Sequence, residues 1–399
     1  MQRTIFLVDM NAFFISCELT RNPGLAEEPA AVAGDSLKRT GIILAANYPA
    51  RKHGVRTAMV VHEAIKCCPN LKLFPPDHHF YATKSTEVMK ILSCYTPVVE
   101  QNSIDEAWLD MTGCESLFGE PLASSQRIMN HILNDLGLWC SIGISDNKFL
   151  AKMASDMKKP LGITQLWKVD VPLKLWPLPI LSMQGIGNQT AKKLHDLGIE
   201  TIGDLARYPD DLLTLKLGKA GAELHNLANG IDSSPVVPHS ANEMKSIGRS
   251  VTLPEDISDL ESAKMVLLEL ADEVSMVARQ FEKRGRTVQI TLKYSNFEVI
   301  TRQATISSTN LSKQIMSAGI QLLKQHWNPA RPVRLLGISL SNFNKTSNLD
   351  QLSLFGLPET DHESPKEAKL DQVMDEIRNK YGSAKINRAI LLNHPKTKD

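Results

Sequence analysis

At 399 residues the chain exceeds one small core, and the domain-size prior gives about two to four domains. A net charge of +1 excludes an overall basic protein, so any electrostatic footprint for a polyanion has to be local. The six cysteines, Cys17, Cys67, Cys68, Cys94, Cys114 and Cys140, form no CxxC pair, which fits free thiols in a reducing cytoplasm and argues against zinc; with no membrane-length apolar run, a soluble cytoplasmic protein is expected.

The first segment, TIFLVDM, reads as a buried strand ending in an acid, Asp9, and FFISCEL continues with helical spacing. Residues 25–75 alternate small apolar segments, AAVAG and TGIILAANY, with the basic patch ARKHGVRT. Phe80 to Tyr95 has an amphipathic helical pattern. The runs TPVVE and AWLDM then predict two strands joined by a tight turn near NSID. That bend puts Asp105 and Glu106 together at the mouth of a hairpin. Neighbouring carboxylates repel unless protonated, hydrogen-bonded or bridged by a cation; a solvated turn is the plain alternative. SQRIMNHILNDLG predicts a second amphipathic helix, WCSIGIS a strand and NKFLAKMASDMKK a third helix. Strands and helices interleaved without a strict βα repeat indicate an α+β sheet with helices on one face.

Pro172, Pro177 and Pro179 give LWPLPILSM the character of a linker. GIGNQTAKKLHDLGIETIGDLA reads as helix, hairpin, helix with Gly185 and Gly187 in the turn. Glycines there either expose N–H groups to a phosphate or merely relieve crowding. A looser helical hairpin follows at LGKAGAELHNLANG, and SSPVVPHSANE marks a domain boundary near 232–242. Between Arg279 and Lys345 eleven lysines and arginines face two acids, a surplus of nine in a chain of net +1. Phosphate-backbone binding requires such a basic domain; solvated cations on a sheet face are the alternative. After Asn344 the chain turns polar and reads QLSLFGLP at 351–358. SPKE then forms a capping box, and Leu370, Val373, Met374, Ile377 and Tyr381 make one apolar stripe that stops at Gly382. A tail helix able to dock is expected.

Asp9 and the Asp105/Glu106 pair all stand at ends of core strands, where they can converge on a shared hard cation such as magnesium. Two such ions about 4 Å apart clamp the attacking and leaving oxygens of a phosphoryl displacement. NYPAR supplies Tyr48 and Arg51, and KKP supplies Lys159, residue types suited to a triphosphate. Asp110 lies four residues past Glu106, about 13 Å along an extended strand, so its expected role is structural.

VDMNAFF, ANYPARKHGV, NSIDEAWLD, GISDNKFLAKMASDMKKP, the GIG hairpin and SIGRSVTLP stand in the order seen in Y-family translesion DNA polymerases. Over residues 3–345 the chain resembles that family, in its bacterial DinB and UmuC branch. The resemblance implies a right-hand α+β polymerase: palm at 1–11 and 77–166, fingers at 12–76, a helix-hairpin-helix thumb at 167–233 and a DNA-binding little finger at 242–345. A C-terminal tail at 346–399 would carry a clamp-binding peptide, 351–355, and a helix, 365–381. By the same resemblance Asp9, Asp105 and Glu106 are the catalytic carboxylates and, with the Met10 carbonyl, hold two magnesium ions that manganese can replace. Tyr48, Arg51 and Lys159 hold the incoming deoxynucleoside triphosphate, and Phe14 is the steric gate against a ribose 2′-hydroxyl. Gly185, Gly187, Arg249, Arg286, Arg331 and Arg334 contact primer-template DNA, and Gln351, Leu352, Leu354 and Phe355 contact a sliding clamp. Asn11 stands where many members have a second aspartate. The implied activity is template-directed DNA synthesis past damaged bases, of low fidelity and without proofreading. Two rivals stay open: a non-catalytic DNA- or clamp-binding protein on a polymerase-like fold, and a metal-dependent nuclease.

Overall fold

The computed structural model describes residues 3–35, 39, 41–238, 244–343, 365–382, 385, 386, 388 and 389. The chain divides into two compact units, Met1–Leu37 with Gly41–His239 and Lys38–Thr40 with Ser240–Asp399. Among the described residues no helix is long and apolar enough to cross a membrane.

The first unit opens with β1 (Ile5–Met10), α1 (Phe13–Arg21), β2 (Ala30–Ala33), β3 (Ile43–Ala46), α2 (Tyr48–Lys52), α3 (Val61–Cys67) and β4 (Lys72–Phe74). It continues through α4 (His78–Ser93), β5 (Val99–Gln101), β6 (Glu106–Asp110), α5 (Glu115–Phe118), α6 (Pro121–Leu136), β7 (Cys140–Ser145), α7 (Lys148–Met157) and β8 (Ile163–Gln165). A five-stranded sheet has the order β5-β6-β1-β7-β8, and a small sheet has the order β3-β2-β4. All six side chains of β1 are buried, because β1 is the central strand and both of its faces are covered. On one face Phe6, Val8 and Met10 pack with Tyr81, Val88, Leu92 and Ile128; on the other, Ile5 and Leu7 pack with Trp108, Ala151 and Val236. A Cβ on Gly143 of β7 would stand 1.9 Å from the Ala151 carbonyl oxygen. Only glycine lets α7 lie this close to the sheet, and that approach brings the basic face of α7 over the strand ends.

Helices α8 (Asn188–His195), α9 (Ile202–Arg207), α10 (Asp210–Leu217) and α11 (Lys219–Ala228) complete this unit. Two sequence expectations need correction here. LWPLPILSM, residues 175–183, which read as a linker, belongs to a run of short helical turns over 168–182, with Pro172 in the first turn of Val171–Leu175. Val171, Leu175, Ile180 and Met183 are buried in the same cluster as Leu194, Ile202 and Leu205, so the segment is packed rather than loose, with Pro172 and Pro179 at the starts of two of its turns. Gly185 and Gly187 also lie before α8, with Gly187 at its N-cap, rather than between the two helices. The start of the expected boundary segment is strapped down: the Asp232 carboxylate accepts the Phe149 N–H at 3.0 Å, and Glu100 accepts the Val237 N–H at 2.8 Å.

The second unit contains β9 (Ser246–Ile257), α12 (Leu260–Gln280), β10 (Gly285–Tyr294), β11 (Val299–Thr309), α13 (Ser312–His326), β12 (Val333–Phe343) and α14 (Pro365–Tyr381). Its four-stranded sheet has the order β11-β10-β12-β9. Alternate residues Val288, Ile290, Leu292 and Leu336, Ile338, Leu340 pack against Leu267, Val274, Ile315 and Leu322 of α12 and α13. The opposite parity, including Gln289, Thr291, Lys293, Gly337 and Ser339, carries mainly small or polar side chains, with Leu335 as an apolar exception, as a half-solvated antiparallel sheet allows. Helix α14 buries Asp371 and Met374, while Leu370, Val373 and Tyr381 of the apolar stripe stay exposed. Its contact with the domain is therefore mainly a network of ion pairs.

Candidate active site

The acids gather because two strands end together. Strands β1 and β6 pair antiparallel with Asp9 opposite Glu106, and the Met10 N–H donates to the Asp105 carbonyl at 2.9 Å. Strand β5 pairs with β6, so residues 102–105 are the connecting turn. Ser103 Oγ donates to Asp105, and the Asn102 amide donates to Glu106. Asp110 stands at the far end of β6, opposite Ile5; it accepts the Thr112 N–H at 3.0 Å and lies 3.9 Å from Arg3. It is a structural acid.

Two lysines hold the carboxylates. Lys152 Nζ, from α7, lies 2.8 Å from Asp9 Oδ2 and 2.6 Å from Glu106 Oε2. Lys159 Nζ lies 2.8 Å from the same Asp9 oxygen and 2.8 Å from Asp156 Oδ1. Burial works to raise the Asp9 pKa, but the two ammonium groups outweigh it and hold the carboxyl below its ordinary value. Burial would likewise lower the Lys152 pKa, yet Asp9 and Glu106 drive it well above the ordinary lysine range. Asp9, Lys152 and Lys159 are therefore charged at neutral pH.

The acids open onto a cleft of about 500 Å³, also lined by Met10, Phe14, Leu44, Tyr48, Arg51 and Lys159. Helix α2 is positioned by Asn47, which accepts the Ala50 N–H at 3.0 Å and the Ala30 N–H at 3.0 Å. Arg51 Nε donates to the Ala46 carbonyl at 2.8 Å, which aims the guanidinium. The Tyr48 hydroxyl is buried with no hydrogen-bond partner among the described residues, and a buried hydroxyl without a partner is costly unless a ligand satisfies it. Phe14 stacks on Tyr81 with centroids 4.6 Å apart and an interplanar angle of 16°. Tyr81 is itself fixed by its hydroxyl, which donates to Glu18 at 2.7 Å. Phe14 is thus braced from behind.

The structure therefore brings Asp9, Met10, Asp105, Glu106, Tyr48, Arg51, Lys159 and Phe14 to one cleft. Sequence reasoning missed Lys152 and Asp156. Their i, i+4 spacing on α7, one turn from Lys148, was the available signal. Among the described residues no three acidic, histidine or cysteine side chains already form a closed metal cage, because lysine cations stand among the acids. The donor set still suits a hard cation: oxygens of Asp9 and Glu106 already share one positive charge.

The DNA-contact expectations divide. Gly187 has open space where a Cβ would stand, and Gly185 has φ +89° with only the Leu224 side chain near such a Cβ. Arg249 of β9 lies 3.5 Å from Glu273 of α12, and Arg331 pairs with Glu298. Arg334 stands 5.1 Å from the Phe297 ring, and Arg286 is on β10. Lys293 lines an open groove with Gly248, Ser250, Thr291, Gly337 and Ser339. Arg279, part of the basic surplus, is turned onto the tail: it lies 2.6 Å from Asp375 and 3.1 Å from Asp371. Gln351, Leu352, Leu354 and Phe355 lie outside the described residues.

Three family models match the chain: the impB/mucB/samB family over residues 8–156, its C-terminal domain over 244–354, and the DNA polymerase-iota thumb domain over 182–232. A Clostridium kluyveri protein described as DNA polymerase IV is 60% identical over 99% of this chain and 100% of its own length. The chain belongs to the impB/mucB/samB family of Y-family DNA polymerases. The same description is carried by an Alkaliphilus oremlandii protein, 57% identical over 98% of this chain and 100% of its own, and by a Moorella thermoacetica protein, 42% identical over 98% and 96%. Among solved structures, a Y-family polymerase chimera of Dbh and Dpo4 aligns with TM-score 0.75 and 27% identity, covering 85% of this chain and 99% of that one. The right-hand α+β class implied by the motifs is that of this Y-family chain.

Proposed function

We propose that this DNA-directed DNA polymerase extends a primer opposite damaged template bases, adding deoxynucleotides without proofreading, and that Asp9, Asp105 and Glu106 are its metal-binding carboxylates. The observation that carries the reading is the convergence of these three acids on one cleft with Tyr48, Arg51, Lys159 and Phe14. Asp9, Asp105, Glu106 and the Met10 carbonyl would hold two magnesium ions, with manganese in substitution, which supply charge neutralisation at the reacting oxygens of the primer terminus and the α-phosphate. The protein's own groups do the rest. Arg51 and Lys159 bind the triphosphate, the Tyr48 hydroxyl donates to it, and these contacts orient the α-phosphate toward the primer 3′-hydroxyl. Phe14 closes the cleft against a 2′-hydroxyl, while pairing with the template chooses the base. The turn at Gly185 and Gly187 and the second unit grip the phosphate backbone without reading sequence. Gln351–Phe355 would bring the enzyme, in the cytoplasm, to a sliding clamp.

Primer extension with purified protein and magnesium tests the polymerase reading. A chain with Asp105→Ala and Glu106→Ala should lose extension; equal extension by wild type and variant would remove the catalytic assignment. Shortening of a labelled primer would favour a nuclease. Single-nucleotide insertion opposite a panel of damaged templates tests the bypass role: stalling at every lesion together with processive copying of intact DNA would exclude it.

A further inference from the structure

We propose that Lys152 is a placeholder cation, holding Asp9 and Glu106 together until divalent metal arrives and then passing to Asp156; this rests on the metal-site reading above. The geometry has three parts. First, one ammonium bridges the carboxylates of two strands, 2.8 Å from Asp9 and 2.6 Å from Glu106, where like charges would otherwise repel across the β1–β6 register. Second, Asp9 Oδ2 serves both Lys152 and Lys159, so a divalent ion taking that oxygen competes with both ammonium groups. Third, Asp156 already stands beside both of them: it lies 3.6 Å from Lys152 Nζ through Oδ2 and 2.8 Å from Lys159 Nζ through Oδ1, with its side chain 47% exposed.

Asp156 is thus a second acceptor on the same helix, away from the metal carboxylates and near water. Transfer from Asp9 to Asp156 keeps each lysine paired, so displacement leaves no ammonium without an acid. It also releases Lys159 from Asp9 when the triphosphate is bound. Lys152 is a positioning residue in this scheme: it preorganises the acids and makes metal entry an exchange of cations. Opposing the exchange, a cation left close to a divalent ion weakens metal binding, so Asp156 should set how completely the site accepts metal.

The test is manganese binding to the whole protein without DNA or nucleotide, followed by titration calorimetry and by melting in chelator and in manganese. Lys152→Met should melt lower than wild type in chelator and bind manganese about tenfold more tightly, the loss of one nearby like charge. Asp156→Asn should bind it several-fold more weakly, and in the double variant that loss should shrink to the part carried by Lys159, which Asp156 also pairs. Manganese affinity of Lys152→Met within twofold of wild type, or an Asp156→Asn effect that persists unchanged in the double variant, overturns the proposal. A wild-type labelling experiment covers the case of an unfolded variant. Amine-directed acetylation of Lys152 should rise several-fold when calcium replaces chelator, and equal labelling overturns it too. If Asp105→Ala leaves manganese binding unaltered, the metal-site reading itself has failed, which separates the two outcomes.

Discussion

Tyr48 and Phe14 make different demands on the cleft, and each can be measured by itself. The Tyr48 hydroxyl is buried with no hydrogen-bond partner among the described residues, and on the proposed reading a bound triphosphate would satisfy it. Tyr48→Phe removes one hydrogen bond of about 1 kcal/mol and should raise KM for the incoming nucleotide about fivefold with kcat little changed. A fall in kcat with constant KM would mean that the hydroxyl acts only in the transition state. Phe14 is fixed by its stacking on Tyr81, so it cannot swing aside for a larger sugar. Phe14→Ala should therefore improve ribonucleotide insertion relative to deoxynucleotide by on the order of 10²-fold, the range in which pocket shape discriminates. Unchanged sugar selectivity would make Phe14 a core aromatic. The meeting of the acids was legible because Asp9, Asp105 and Glu106 stand at the ends of apolar runs that pair as strands. Lys152 was not, since its role depends on how α7 lies over β1, and that depends on Gly143 in another strand.

The tail helix α14 shows why element contacts are harder to read than elements. Its period and its stop at Gly382 were plain, and a helix does run Pro365–Tyr381. The apolar stripe nevertheless misled, because Leu370, Val373 and Tyr381 are exposed and the docking is carried by charges. Arg279 bridges Asp371 and Asp375, while Asp272 takes Arg378 at 3.3 Å and Arg388 at 2.9 Å. The Asp371 carboxylate also accepts the Ser312 N–H at 3.0 Å, capping α13 from the tail. Partners about a hundred residues apart give no periodic signal. Similarly, prolines at 172–179 look alike in a linker and at the start of a helical turn. Asp272→Ala leaves Arg378 and Arg388 without their shared acid and should destabilise the second unit by about 3–5 kcal/mol, read as faster amide exchange in α12 and α13. Burial tends to raise the Asp272 pKa, but Arg388, Ser312 and Arg378 hold it below its ordinary value. A depressed folded pKa gives stability that is present above the unfolded value, about 3.9, and is lost as pH falls through the folded value. Urea melts should therefore show the second unit weakening below about pH 4, and Asp272→Ala should remove most of that dependence.

At the scale of the whole chain, charge was legible as an amount but not as a direction. The basic surplus between Arg279 and Lys345 is real, yet several of its members are spent inside the second unit: Arg279 on the tail and Arg331 on Glu298. The groove on this sheet is lined by Gly248, Ser250, Thr291, Gly337 and Ser339 together with the apolar Val299, Leu335 and Ile338, and carries Lys293 and Arg249. Such a surface lets a phosphate backbone come close to the hydroxyls of Ser250, Thr291 and Ser339 beside a few cations, without dense charge pairing. Binding to a primer-template duplex should consequently be salt-dependent with a slope below that expected if every cation in the surplus met a phosphate. Each phosphate contact contributes about 0.9 to the slope of log K against log salt on duplex DNA. Lys293→Ala should reduce that slope by about 1, whereas Arg279→Ala should leave it unaltered while destabilising the tail contact. Equal slope changes for the two variants would mean that Arg279 reaches DNA despite its acidic partners. Affinity that changed with template sequence at fixed salt would show base readout in place of backbone grip.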